Sequence, residues 1–184
     1  MIARRLLSVP VFAAVLGMMG PPGRADDAAC QAVLQAVLKQ TAAPVYQKVT
    51  IETAAAPDKP MHNEMIRLGD TLYMQVRGQW MARPYDAAKA ADDARQAMTK
   101  GEHSCTRVRS EAVDGQPAEL YRVQSKTATG GSDTQIWIST ASGLPLRQTV
   151  AMLEQGTIKL KHEVRSDYAN VRAPAVRKNM SASG

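Results

Sequence analysis

Leu144-Pro145-Leu146-Arg147-Gln148-Thr149-Val150-Ala151-Met152-Leu153-Glu154, then Gln155-Gly156, then Thr157-Ile158-Lys159-Leu160-Lys161-His162-Glu163-Val164-Arg165 is the stretch that decides the fold. On both sides of Gln155-Gly156 the chain alternates with a period of two, the mark of antiparallel strands joined by a tight turn. Leu144, Leu146, Val150 and Met152 read onto one face together with Ile158, Leu160 and Val164, while Lys159, Lys161, Glu163 and Arg165 read onto the other. The pair predicts a sheet with one apolar side and one solvated side.

The same pattern recurs upstream. Ser142-Gly143 turns residues 134–140 into this pair, Gly130-Gly131-Ser132-Asp133 reads as the turn before it, and Asp114-Gly115 joins residues 106–113 to 118–126 as a hairpin. Nearer the start, Val45, Gln47, Val49 and Ile51 alternate with Tyr46, Lys48, Thr50 and Glu52, and residues 54–60 read as a proline-marked loop. Residues 62–68 and 71–76 read as strands across Gly69-Asp70, with Leu72, Met74 and Val76 on one side, and residues 78–81 as a short return. Helical spacing occurs twice. Cys30, Val33, Leu34, Val37 and Leu38 mark a helix over residues 27–41, capped by Asp27 and ended by Ala42-Ala43-Pro44. A second helix over residues 86–98 is capped by Asp86 and stopped by Gly101. Its inner face is Ala87, Ala90, Ala91, Ala94, Ala97 and Met98, which buries little area, so this helix is expected to be the more mobile.

The expected architecture is α+β and β-rich: a single curved antiparallel sheet of about seven or eight strands, an unclosed half-barrel, whose concave apolar face is covered by two helices. This domain is expected over residues 26–172, followed by a disordered basic tail over 173–184.

Residues 1–25 read as a cleaved secretory signal: Arg4-Arg5, a mainly apolar run over 6–19, the helix-breaking Gly20-Pro21-Pro22-Gly23, and the small Ala25. The run is too short for a stable membrane span. Asp27 lies where a lipidated Cys30 would need a large apolar residue, and two adjacent arginines point weakly to twin-arginine export, so the general secretory route is expected. Cleavage removes three arginines and lowers the formal charge from +6 to about +3. That mild basicity excludes the dense basic stripe nucleic acid requires. Only Cys30 and Cys105 carry thiols, and export makes a disulfide between them the natural assignment over a metal pair or redox couple, since neither sits in a Cys-x-x-Cys arrangement. Closing so long a loop contributes roughly 4 kcal/mol by chain entropy.

Trp137-Ile138-Ser139-Thr140-Ala141-Ser142-Gly143-Leu144-Pro145-Leu146-Arg147, followed by Tyr168-Ala169-Asn170-Val171-Arg172-Ala173-Pro174, resembles the LolA-like superfamily of periplasmic lipoprotein carriers. Val113-Asp114-Gly115-Gln116-Pro117-Ala118-Glu119-Leu120-Tyr121 is similar to that family's paired strands. The resemblance covers residues 105–175 well and the N-terminal half by element order only. It implies an unclosed barrel with helices as a lid over a hydrophobic cavity, in a Gram-negative periplasm, for carrying lipoproteins, sensing them or binding other lipids. The chain is shorter than the carrier, and no position matches the carrier's functional arginine.

Catalytic groups are few. The histidines are His62, His103 and His162, and there is no His-Glu-x-x-His, Gly-x-Ser-x-Gly or phosphate-binding glycine loop. His103-Ser104-Cys105 reads as a segment held by the disulfide rather than a nucleophile site. Met61-His62-Asn63-Glu64-Met65 offers soft ligands to copper, but on a strand Met61 and Met65 face away from His62, so apolar packing is expected. Asp92-Asp93 diverge on a helix and read as a solvated face rather than a calcium site. Trp137 reads as a core residue or as a ring at a groove rim, with Trp80 the other large reporter. Lys159, Lys161, Arg165, Arg172, Arg177 and Lys178 are a candidate basic strip for anionic headgroups.

The function this predicts is non-enzymatic binding of a lipid, acyl chain or other hydrophobic ligand, with no cofactor and no metal, by a periplasmic monomer whose second helix shifts to admit it. Leu72, Met74, Val76, Leu146, Val150, Met152, Ile158, Leu160 and Val164 are the expected lining. The alternatives are an envelope interaction or sensor module with a filled core and a surface site for a protein partner, and a hydrolase with a dispersed site.

Overall fold

A computed structural model describes residues 27–99 and 102–176. The expected signal segment, the Gly101 stop, Arg177, Lys178 and the end of the tail lie outside the described residues. The chain runs α1 (Asp27–Ala42), β1 (Val45–Thr53), β2 (Ala56–Leu68), β3 (Thr71–Val76), β4 (Gln79–Pro84), α2 (Ala87–Thr99), β5 (Glu102–Val113), β6 (Gln116–Lys126), β7 (Gly130–Ser139), β8 (Pro145–Glu154) and β9 (Thr157–Asp167). All nine strands form one antiparallel sheet in the order β4-β3-β2-β1-β9-β8-β7-β6-β5. β4 and β5 are its two free edges, so the sheet is not closed. Among the described residues this is the expected half-barrel with two helices, built from nine strands.

The turns follow local chemistry. Asp114-Gly115 and Gln155-Gly156 both take positive φ at two successive residues, the backbone that matches the twist of a two-residue hairpin. Asp86 accepts from the Lys89 amide at 2.9 Å and caps α2 as expected. Asp27 is the first residue of α1, and its side chain lies outside the described residues. Two sequence expectations are corrected. The loop over residues 54–60 shrinks to a turn at Ala54-Ala55, and β2 already begins at Ala56, its prolines in the exposed stretch near the hairpin tip. Gly130-Gly131 is the start of β7 and not a turn. A Cβ at Gly130 would meet the Leu153 carbonyl and one at Gly131 the Ser125 carbonyl, so these glycines admit close neighbouring strands.

Register assigns the two faces. Val49 pairs with Val164, Val164 with Gln148, Gln148 with Ile136 and Ile136 with Tyr121, so these five side chains share one side. On that side Val33 and Ala36 of α1 pack against Ile136 and Ile138, with Tyr121 and Val123 at the margin. Cys105 shares the side and is bonded to Cys30, which pins α1 to β5, with the two Cα atoms 5.1 Å apart. The outer side has its own core: Val113, Ala118, Leu120, Trp137 and Leu146, with Tyr168 against them.

Candidate functional site

The helix-facing side is covered unevenly. α1 lies over the β5–β8 part of the sheet, and α2 packs chiefly along α1, with no residue of its own buried. The expected small face of α2 is half-buried at Ala87, Ala90, Ala91, Ala94 and Met98, while Ala97 is exposed. Toward β1–β4 and the far ends of β8 and β9 the same side of the sheet stays open.

What the open area presents follows from register. Ile51 pairs with Met61 and with His162, and His162 pairs with Val150; Met152 pairs with Leu160; Met65 pairs with Met74, and Met74 with Met81. Met61 is 52% exposed, Met152 49%, Val76 43% and Met81 43%, whereas Val49, Ile51, Met65, Leu72, Met74, Val150, Leu160 and Val164 are half-buried. Large apolar side chains left this wet within one neighbourhood are the usual sign of a surface that meets something apolar. His162 is set among them, and burial pushes its imidazole below the usual histidine range.

Seven of the expected lining residues therefore share the helix-facing side: Leu72, Met74, Val76, Val150, Met152, Leu160 and Val164. Leu146 and Ile158 do not. Leu146 is the extra residue of a β-bulge, because Trp137 pairs with Arg147 and Ile138 with Pro145, and its side chain packs with Trp137 in the outer core. Lys159 is the extra residue of a second bulge, because Met152 pairs with Leu160 and Leu153 with Ile158, so Ile158 turns outward beside Leu153. Val49, Ile51, Met61, Met65 and Met81 join the open side instead. Alternation along β1 and the shared facing of Met61 and Met65 were the signals for four of these.

A hub at the end of α1 frames this area. Arg67 on β2 donates to the carbonyls of Gln40 and Ala43, the latter at 3.0 Å, and to the Tyr85 hydroxyl at 3.3 Å, with the tyrosine ring 5.0 Å below its guanidinium. Tyr85 in turn donates to the Thr41 carbonyl at 3.0 Å. A cation on the last carbonyls of a helix satisfies groups the helix cannot bond itself. Nothing in the local sequence around Arg67 announces this.

The outer side is closed by charge. Trp137 is buried, donates its indole N–H to Glu111, and lies under the Arg147 guanidinium at 4.8 Å. Arg147 and Arg165 each donate to Glu163 at 2.7 Å, and Arg165 also reaches Asp114 at 3.4 Å. Burial works to raise the Glu163 carboxyl, and the two arginines outweigh it, leaving it below the usual carboxylate range. Trp137 is thus a core tryptophan and not a rim residue. Of the expected basic strip, Arg165 is engaged with acids, while Lys159, Lys161 and Arg172 are exposed. A depression of about 480 Å³ on this side is a mixed surface lined by Thr50, Glu52, Asp133, Leu153, Lys161 and Glu163 among others, and Val150 and His162 also border it. A larger cleft of about 940 Å³ opens at the tips of β5–β8, bordered by Gly130, Gly131 and Gly156. Asp92 and Asp93 pair with Arg95 and Lys89 on the exposed face of α2.

No protein-family model matches the chain, and no curated protein matches it. Solved structures do. MucB in complex with MucA(peri) aligns with a TM-score of 0.50 at 17% identity, covering 80% of this chain and 57% of that one. LprF from Mycobacterium bovis aligns at 0.48 and 14%, covering 85% and 99%. A LolA superfamily protein from Nitrosomonas europaea aligns at 0.30 and 9%, covering 76% and 91%. The chain thus shares the fold of MucB over four-fifths of its own length and spans 57% of the length of that protein.

Proposed function

We propose that this protein is a non-enzymatic binding protein that holds a lipid, an acyl chain or another hydrophobic ligand against the open part of its helix-facing sheet. The observation that carries the reading is the partial cover: α1 occupies one end of an apolar surface and leaves Met61, Val76, Met81 and Met152 at the other end accessible. Flexible thioether side chains suit ligands of variable shape. α2, which has no buried residue, is the element whose displacement would cost least, so it serves as the movable margin of the site. The protein acts in an exported, oxidising compartment, which the Cys30–Cys105 bond favours, and lipid or lipoprotein trafficking in the envelope is the setting that fits.

Organic extraction of the purified protein followed by mass spectrometry tests this. Co-purified lipid at near-stoichiometric amount, or saturable uptake of a fluorescent fatty acid, is the expected result. A second reading places a protein segment on the same surface, and it draws on the complex of MucB with MucA(peri). Absence of lipid together with no uptake of any acyl probe would favour that reading.

A further inference from the structure

The register of the first hairpins sets three methionines in a straight row. Met65 on β2 is directly opposite Met74 on β3, and Met74 is directly opposite Met81 on β4, with Gln47 of β1 continuing the row beyond Met65. All three point to the helix-facing side, two of them half-buried and Met81 43% exposed. Directly opposed residues on neighbouring strands have Cβ atoms about 5 Å apart. An unbranched thioether adds enough length and rotatable bonds for the two outer sulfurs to lean toward the central one.

We propose that Met65, Met74 and Met81 form a site for a soft, monovalent d10 cation, Cu(I) in chemistry and Ag(I) as its redox-inert analogue. Thioether sulfur selects such ions, while harder divalent ions prefer oxygen and imidazole. The rest of the molecule sharpens that selectivity: among the described residues no group of three or more His, Cys, Asp or Glu side chains could hold a metal ion. Both cysteines are committed to each other, so no thiolate competes. The soft-ligand reading of Met61-His62-Met65 fails on direction, since His62 pairs with Thr50 and its ring meets the Thr50 hydroxyl on the outer side. Cross-strand register supplies the three sulfurs that the local sequence does not. The three donors carry no proton in either state, so binding by this row is independent of pH between 5 and 8, unlike any site built on histidine.

The row shares Met74 and Met81 with the surface proposed for the hydrophobic ligand, and the two bindings are separated by experiment. The purified protein, labelled with 13C at its methionine methyl groups, is titrated with Ag(I) at pH 7.5 and again at pH 5.5. Expected are one saturable equivalent at both pH values, shifts concentrated on the methyls of Met65, Met74 and Met81, and loss of that equivalent in Met65→Leu/Met74→Leu/Met81→Leu. Leucine keeps the volume and the apolar character, so acyl-probe uptake by this triple variant reports separately on the lipid site. The companion variant Met61→Leu/Met152→Leu retains the silver step. Equal silver binding by the triple variant and the unchanged protein, or uniform shifts over all exposed methionines, overturns the proposal.

Discussion

The guanidinium of Arg67 holds the end of α1, the strand β2 and the approach to α2 together through carbonyls at Gln40 and Ala43 and the ring of Tyr85. Bonds from a charged donor to neutral acceptors contribute more than ordinary ones. Arg67→Ala is expected to lower unfolding stability by about 2 kcal/mol, read from the urea midpoint at constant slope; a change within about 0.5 kcal/mol would show that the hub is ornamental. Glu163 gives a pH prediction. Its carboxyl is held below the usual range in the folded protein, so its contribution is present above the ordinary carboxylate pKa and is lost as pH falls through the lowered folded value. Glu163→Gln should therefore lose less stability than the unchanged protein between pH 6 and pH 3, measured by thermal melts. Steeper acid loss in the variant would contradict the assigned role of Arg147 and Arg165. The distant partners were not legible in the sequence, because Arg67 bonds carbonyls 24 and 27 positions away and Glu163 bonds Arg147 16 positions away, whereas Arg165 shares the face of Glu163 two positions on. Alternation states which side a residue faces, not whom it meets there.

At the scale of elements, β-alternation was readable wherever strands stay in register and misleading at bulges. Nearly every strand, both helices and the Asp114-Gly115 and Gln155-Gly156 turns followed from period and turn chemistry. Leu146 and Ile158 were placed on the wrong side because one additional residue in β8 and one in β9 reverse the parity, and nothing in composition marks either. The Cys30–Cys105 bond was legible from cysteine count, and its mechanical role emerges from position: it fastens α1 where Val33 and Ala36 cover Ile136 and Ile138. Cys30→Ala/Cys105→Ala is expected to cost roughly 4 kcal/mol by loop entropy, with loss of hydrogen-exchange protection concentrated in α1 and β7. Uniform loss over the whole sheet would mean that α1 does not act as a separately anchored element.

Over the whole molecule, two apolar surfaces share one sheet and are treated differently. The outer one is sealed by Trp137 and its network of arginines and acids, and the helix-facing one is sealed only where α1 lies. A protein that merely needed a core would have little use for the second opening, since wet methionine and valine side chains forfeit the gain of burial. The sequence could show that such a face existed, but not how much of it the helices would cover, because cover depends on the packing of α2 along α1 and not on either helix alone. On the proposed function, the open helix-facing area, and not the outer depression, takes up a hydrophobic ligand. Met152 and Ile158 are 49% and 40% exposed on opposite sides of the same hairpin, so a charge at either leaves the folded state intact. Saturable binding of a fluorescent fatty acid should be abolished in Met152→Glu and retained in Ile158→Glu; retention in the first with loss in the second would place the ligand on the outer side instead.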